Sequence, residues 1–131
     1  MHELSIAMGI VDAAMEEAQR RSVRVRAVHF RLGALSGVVK DALMFSYEVA
    51  CQDTPLMGSQ LIVEDVPVIV FCVVCQKEYL LPSVRLFVCP ECGVPTMDVR
   101  QGKELEVFAL EVQDEELRDE NLREEVPAEE V

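Results

Sequence analysis

From Leu4 to about Gln19, apolar residues recur at helical spacing: Leu4, Ala7/Met8, Val11, Ala14/Met15 and Ala18. Asp12, Glu16, Glu17 and Arg20 take the opposite face, so this stretch predicts an amphipathic helix. The period then changes to two. Val23, Val25, Ala27 and His29 alternate with Arg24, Arg26, Val28 and Phe30, which predicts a strand over Val23–Leu32, broken at Gly33. Ser36-Gly37 reads as the start of a second helix with Ser36 as its N-cap. The helix body runs from Val38 to about Ala50, with Val39, Leu43, Tyr47 and Ala50 on one stripe and Ala42, Phe45 and Val49 beside it. Asp53-Thr54-Pro55 ends it. Ser59–Val66 reads as a second strand and Glu104–Val112 as a third.

Strand, helix, strand in that order is a crossover unit, which sets the first two strands parallel with right-handed connectivity. The fold class expected is α/β (α+β), with two helices on a three-stranded mixed sheet. The third strand returns only after an inserted module. Three segments follow: residues 1–66 plus 103–112 as one α/β domain, 67–102 as the insertion, and 113–131 as a tail.

Charge changes the picture at the C-terminus. The chain of 131 residues carries 12 Lys+Arg against 24 Asp+Glu, a formal charge of −12. Residues 111–131 hold ten of the acidic and two of the basic side chains. Leu117, Leu122, Val126 and Val131 make a poor helical stripe there and Pro127 interrupts it, so 113–131 reads as a disordered, solvated acidic tail. The acidic balance argues against a generic nucleic-acid binder. The longest apolar run, Val66 to Cys75, reaches half of the ~20 residues a membrane span needs. No basic n-region or apolar h-region stands at the start, so no export signal and no membrane partner are expected. Cysteines in such a chain stay reduced, which points to metal or chemistry and away from disulfides.

Within the insertion, Cys72-Val-Val-Cys75 and Cys89-Pro-Glu-Cys92 form two C-x2-C pairs separated by thirteen residues. Two residues between thiolates let both sulfurs reach one metal from a single tight turn, and two such turns supply a tetrahedral all-sulfur zinc site. Gly93 can take the positive φ that folds the backbone over the sulfur. The segment also needs a staple, being too short to bury a sufficient core alone. Zinc on four thiolates is coordinatively closed, hence structural rather than catalytic. Lys77, Arg85 and Arg100 are balanced by Glu78, Glu91 and Asp98, so the module has no basic stripe for tracking phosphates.

The amino terminus, Met1-His2-Glu3, offers a second metal chemistry. The α-amine, the His2 amide nitrogen and its imidazole can close fused chelate rings on one ion, with the Glu3 carboxylate at the edge. Nitrogen-rich planar ligation favours Ni(II) or Cu(II) over Zn(II) and Mg(II). On chemistry alone a second reading stands beside it: Glu3 complements the helix dipole and His2 is an ordinary terminal residue.

MHELSIAMGIVDAA at the start, RLGALSGVVKDALMFSYEVA in the middle and the CVVC…CPECG pair together resemble the HypA/HybF family of hydrogenase maturation proteins, from Met1 to about Val112. The resemblance implies a cytoplasmic nickel metallochaperone, not an enzyme, that delivers Ni(II) to [NiFe]-hydrogenase and in some organisms to urease. It implies nickel ligands at Met1, His2 and Glu3, and zinc ligands at Cys72, Cys75, Cys89 and Cys92. It also implies a HypB-type GTPase maturation protein and the hydrogenase large subunit as partners, with the chain itself a monomer or homodimer. The alternative is a zinc-ribbon adaptor for protein interaction that delivers no nickel. The chain departs from the family pattern at Val39, where many relatives carry an acidic residue; whether Asp41 serves in its place stays open. The acidic tail also runs past the family's usual end. Among the remaining candidates, His29 reads as a satisfied strand histidine. Cys51 reads as a packed inert thiol, and Met8, Met15 and Met44 as core filler.

Overall fold

The computed structural model describes residues 2–114 and 124–127. In chain order the elements are α1 (Glu3–Arg21), β1 (Val23–Gly33), α2 (Lys40–Cys51), β2 (Gln60–Val66), β3 (Ile69–Cys72), β4 (Lys77–Leu80), β5 (Val99–Gln101), β6 (Leu105–Asp114) and β7 (Glu124–Pro127). They form two sheets, ordered β2-β1-β6-β7 and β4-β3-β5.

The larger sheet is mixed, as the strand-helix-strand order requires. Ala34, just past β1, donates its N–H to the Val66 carbonyl at the end of β2 (2.9 Å), so the two strands finish side by side and run in the same direction. β6 runs against β1: Gly33 N–H meets the Glu104 carbonyl (2.7 Å), while His29 pairs with Glu111 and Arg26 with Gln113. The sheet has one strand more than expected. Glu124–Pro127 pairs antiparallel with Ala109–Val112 on the outer edge of β6. This corrects the reading of 113–131 as disordered throughout: β6 continues to Asp114, and an open strand edge supplies unpaired N–H and C=O groups for the later segment. The rest of that tail, 115–123 and 128–131, lies outside the described residues.

By proximity the chain divides into two compact units, 1–30 with 38–63 and 106–131, and 31–37 with 64–105. In the first, α1 packs on α2. The core takes Ala7, Ile10, Val11, Ala14 and Ala18 from α1 and Leu43, Tyr47 and Cys51 from α2. Val25, Ala27, Val28 and Phe30 of β1 and Ala109, Leu110 and Val112 of β6 complete it. β1 lies between β2 and β6, so both its edges are paired, and its consecutive residues Ala27 and Val28 are both buried. α1 ends at Ser22, whose φ of 55° lets its N–H reach the Ala18 and Gln19 carbonyls.

The second helix starts later than its sequence suggests. Ser36-Gly37 is not its N-cap: Ser36 N–H turns back to the Gly33 carbonyl and Gly37 takes φ 77°, so both residues close the turn after β1. Val39 is the N-cap, and its carbonyl accepts the first helical bond from Leu43 N–H (2.9 Å). The stripe beside the core stripe also faces outward, with Phe45 67 % exposed and Val49 40 %. Met8 and Met44 are exposed, so they are not core filler, whereas Met15 is half-buried.

In the second unit, β3 pairs antiparallel with β4 from Ile69↔Leu80 to Cys72↔Lys77, and with β5 on its other side. Its buried cluster is small: Val68, Val70 and Leu81, with Leu35, Phe87 and Val99 against it. Leu35 explains why 31–37 joins this unit, since its side chain packs here and its N–H bonds the Gly102 carbonyl (2.7 Å). The approach is close enough to require glycine at Gly33, where an added Cβ would lie 2.2 Å from the Gly102 carbonyl oxygen.

Candidate metal centres

Two turns of the same construction build the cysteine site. In the first, Cys72 ends β3 and Cys72-Val73-Val74-Cys75 leads into β4; Gln76 follows with φ 55° and donates its N–H to the Cys72 carbonyl (2.8 Å). In the second, Cys89-Pro90-Glu91-Cys92 is followed by Gly93 with φ 77°, whose N–H reaches the Cys89 carbonyl (2.9 Å). The Cys89 N–H to Val94 carbonyl bond (2.8 Å) and the Val88↔Pro95 bridge hold the second turn shut. Gly93 matches its expected role. Gln76 was not singled out from the sequence, although its place after the second cysteine of a C-x2-C turn is the signal that finds it.

The four sulfurs lie within 4.8 Å of one another, and no disulfide joins them. Cys72 and Cys92 stand at 3.6 Å, Cys75 and Cys89 at 3.9 Å. A tetrahedron with zinc–sulfur bonds of about 2.3 Å has edges of about 3.8 Å, so the two pairs bracket the edge that zinc needs. Cys75 N–H points at the Cys72 sulfur (3.4 Å), and this backbone donor pulls the Cys72 thiol down to about 7, toward the thiolate that a metal binds. Cys72 and Cys89 are buried, and Cys92 is exposed. The donor set fits zinc and closes its coordination. In that role the ion supplies folding energy, because the Val68–Val70–Leu81 cluster is too small to hold the unit alone.

The other expected centre falls in the first unit. His2 is the exposed N-cap of α1, with extended backbone (φ −81°, ψ 121°) and no side-chain cap; its carbonyl accepts Ile6 N–H at 3.2 Å. Glu3 opens the helix. Its carboxylate accepts the N–H of Val39, the N-cap of α2, at 3.2 Å, and this bond is what chiefly holds the Glu3 carboxyl below the usual carboxylate range. Met1 lies outside the described residues. Asp41 stands exposed in the first turn of α2.

Remaining candidates take structural places. His29 is half-buried, 3.1 Å from the Glu111 carboxylate and edge-on to Phe108. Cys51 is buried beside Ser59, and burial pushes its thiol up, which makes it inert. Tyr47, which the sequence marked only as core, also sends its hydroxyl to Ser59 (2.7 Å).

Residues 1–112 match the family model described as HypA: hydrogenase/urease nickel incorporation, metallochaperone. The hydrogenase maturation factor HypA of Chloroflexus aurantiacus is 53 % identical over 112 residues, spanning 85 % of this chain and 98 % of that protein. Its namesake from a Roseiflexus strain is 48 % identical over 116 residues, covering 88 % and 94 %. Among solved structures, the solution structure of the Ni metallochaperone HypA from Helicobacter pylori aligns with a TM-score of 0.59 at 20 % identity, covering 84 % of this chain and 96 % of that one. A second HypA solution structure aligns at 0.66 with 21 % identity, covering 88 % and 98 %. These two likenesses establish the fold.

Proposed function

The chain belongs to the HypA family of hydrogenase/urease nickel-incorporation metallochaperones, and on that premise we propose that its own amino terminus is the carrying site. The chain is a nickel metallochaperone of hydrogenase maturation, and nickel is its cargo. In this reading the Met1 amine, the His2 amide nitrogen and the His2 imidazole enclose the ion, with Glu3 at its edge. Fused five- and six-membered rings of nitrogen donors impose the planar field that Ni(II) favours and Zn(II) does not.

The observation that carries the reading is the separation of two donor sets. The four sulfurs form a closed tetrahedral set in one unit, while His2 and Glu3 stand at the start of a helix in the other. A closed site retains its ion; an exposed terminus hands one over by ligand exchange with nothing to unfold. The chain performs no reaction of its own and works in the cytoplasm, where its recipients are a HypB-type GTPase and the hydrogenase large subunit. No described helix is long and apolar enough to cross a membrane. A second reading, a zinc-ribbon adaptor without nickel, is favoured by one feature: the tip of the first cysteine turn is apolar and exposed at Val73 and Val74.

Titration of Ni(II) into tag-free, zinc-loaded protein, paired with His2→Ala, separates the two. Binding by wild type alone, with zinc retained in both proteins, supports the carrier. Equal nickel binding by both, or by neither, removes the terminal site and leaves the adaptor.

A further inference from the structure

Two C-x2-C turns can present their four sulfurs to one ion as a tetrahedron or as a square. If each turn keeps its own shape, the two arrangements differ only by a rotation of one turn against the other. Bonds inside each turn leave that rotation free: Gln76 N–H to the Cys72 carbonyl in the first, Gly93 N–H to the Cys89 carbonyl in the second. Thr96 joins the two turns. It is buried, although Pro95 and Met97 on either side of it are exposed. Its N–H reaches the Phe87 carbonyl (3.0 Å), in the stretch leading into the second turn. Its hydroxyl donates to the carbonyl of Phe71 (2.7 Å), the residue immediately before Cys72. Phe71 also gives its N–H to the Asp98 carbonyl (2.9 Å), two residues past Thr96. One bond would leave the backbone before Cys72 a pivot. Two bonds on the same residue fix its angle to the second turn.

We propose that Thr96 is a specificity-determining residue of the sulfur site: its hydroxyl locks the two turns at the tetrahedral angle, which holds the site for zinc and keeps nickel out of it. This role follows from nickel being the cargo, wherever the chain carries it. Such a chain exposes four thiolates to its own cargo, and Cys92 stands open at the edge of the site. Selectivity between divalent ions at one donor set comes from geometry and availability rather than raw affinity. Tetrahedral sulfur ligation suits Zn(II), whereas Ni(II) favours a planar field. The spacings across the turns agree with the locked angle: Cys72 to Cys92 is 3.6 Å and Cys75 to Cys89 is 3.9 Å. A square built with the same bonds has edges of about 3.3 Å, shorter than either.

The test uses the zinc-loaded full chain and three variants, Thr96→Val, Thr96→Ala and Thr96→Ser. Zinc affinity is read by competition with a chromophoric chelator. Nickel entry is read by zinc release and sulfur-to-nickel charge-transfer absorption under excess Ni(II). Nickel held by nitrogen and carboxylate donors gives neither signal, so failure of the terminal site would leave this reading intact. The Thr96–Phe71 bond is kept in the tetrahedron and broken in the square, so its loss shifts the nickel-to-zinc ratio by its full strength. Thr96→Val and Thr96→Ala should each raise nickel occupancy relative to zinc by about three- to tenfold, as loss of one buried hydrogen bond implies. Thr96→Ser keeps the hydroxyl and should stay within about twofold of wild type. Four results overturn the proposal. Zinc and nickel affinities falling in parallel in Thr96→Val would make the residue merely structural, and so would failure of both Thr96→Val and Thr96→Ala to fold around zinc. Thr96→Ser admitting nickel as Thr96→Ala does would assign the effect to the methyl group. An unchanged ratio in all three variants would leave Thr96 no part in the selection.

Discussion

Gln76 and Gly93 occupy the same place in two successive metal-binding turns. Each follows the second cysteine, each has positive φ (55° and 77°), and each donates its N–H to the carbonyl four residues back. One of the two is a glycine, suited to that conformation; the other is an L side chain held in it.

Substitution at these two positions is therefore unequal. An added Cβ at Gly93 would meet nothing within 4 Å, so Gly93→Ala tests backbone strain alone and should destabilise the zinc-loaded unit by about 1 kcal/mol. Gln76→Gly relieves similar strain but gives up the Gln76 Nε2 bond to the Val73 carbonyl and loosens the unfolded chain, so its net effect should stay within about 0.5 kcal/mol. Competition for zinc by a chelator, followed across both variants, reads the difference.

Zinc removal should unfold one unit and spare the other. The second unit has only a small apolar cluster, whereas the first buries a core drawn from two helices and the larger sheet. With an apparent contribution of about 10–16 kcal/mol for four-thiolate zinc, stripping the ion or making Cys89→Ala should abolish amide protection in β3, β4 and β5. Far-ultraviolet helix signal should persist. Loss of α1 and α2 together with the strands would show that the units do not fold separately.

Gly33→Ala should be among the most damaging small substitutions in the chain. Its Cβ would stand 2.2 Å from one backbone oxygen, and within 2.5 Å of the Glu104 nitrogen, so backbone must move on both sides. A loss of about 3 kcal/mol is expected, read by thermal or denaturant unfolding of zinc-loaded protein.

Acid should weaken α1 through Glu17. Burial by itself raises its carboxyl, but hydrogen bonds and charge from Arg21 and Arg20 outweigh burial and hold it below the usual carboxylate range. A depressed folded-state value means the stabilisation is fully present above the ordinary carboxylate range near 4.5 and is lost as pH falls through the lower folded value. Glu17→Gln should flatten that acid limb in a pH series of unfolding curves. An unchanged limb would assign it to other carboxylates.

Truncation after Asp114 should uncover the outer edge of β6. Amides of Ala109–Val112 that bond β7 should exchange faster, and the open edge should favour concentration-dependent association, visible by sedimentation. Zinc and nickel stoichiometry should not change, because the proposed ligands, Met1, His2 and Glu3 for nickel and Cys72, Cys75, Cys89 and Cys92 for zinc, all precede the cut.

Much of this molecule was legible as local pattern. The C-x2-C pairs named the sulfur site because two sulfurs on one turn are constrained by the turn itself, whatever surrounds it. The change of period from helix to strand at Val23, and the crossover order that made β1 and β2 parallel, are likewise near-neighbour effects. The start of α2 was misplaced because Ser36-Gly37 has the composition of a cap, while the acceptor that serves Val39 sits on another helix.

Exposure of Met8, Met44 and Phe45 was equally out of reach, since an apolar residue beside a core stripe is buried only if some element covers it. The fourth strand depends on a segment returning to an edge that the earlier chain leaves open. The sequence by itself determined the two C-x2-C turns, the two helices and the strands β1, β2 and β6, because those signals need only a few consecutive residues. The tertiary structure decided which distant group completes a cap, a strand pair or a close backbone approach. Each such pairing, Glu3 with Val39 or Gly33 with Gly102, exists only after residues far apart in the chain have been brought within hydrogen-bonding range.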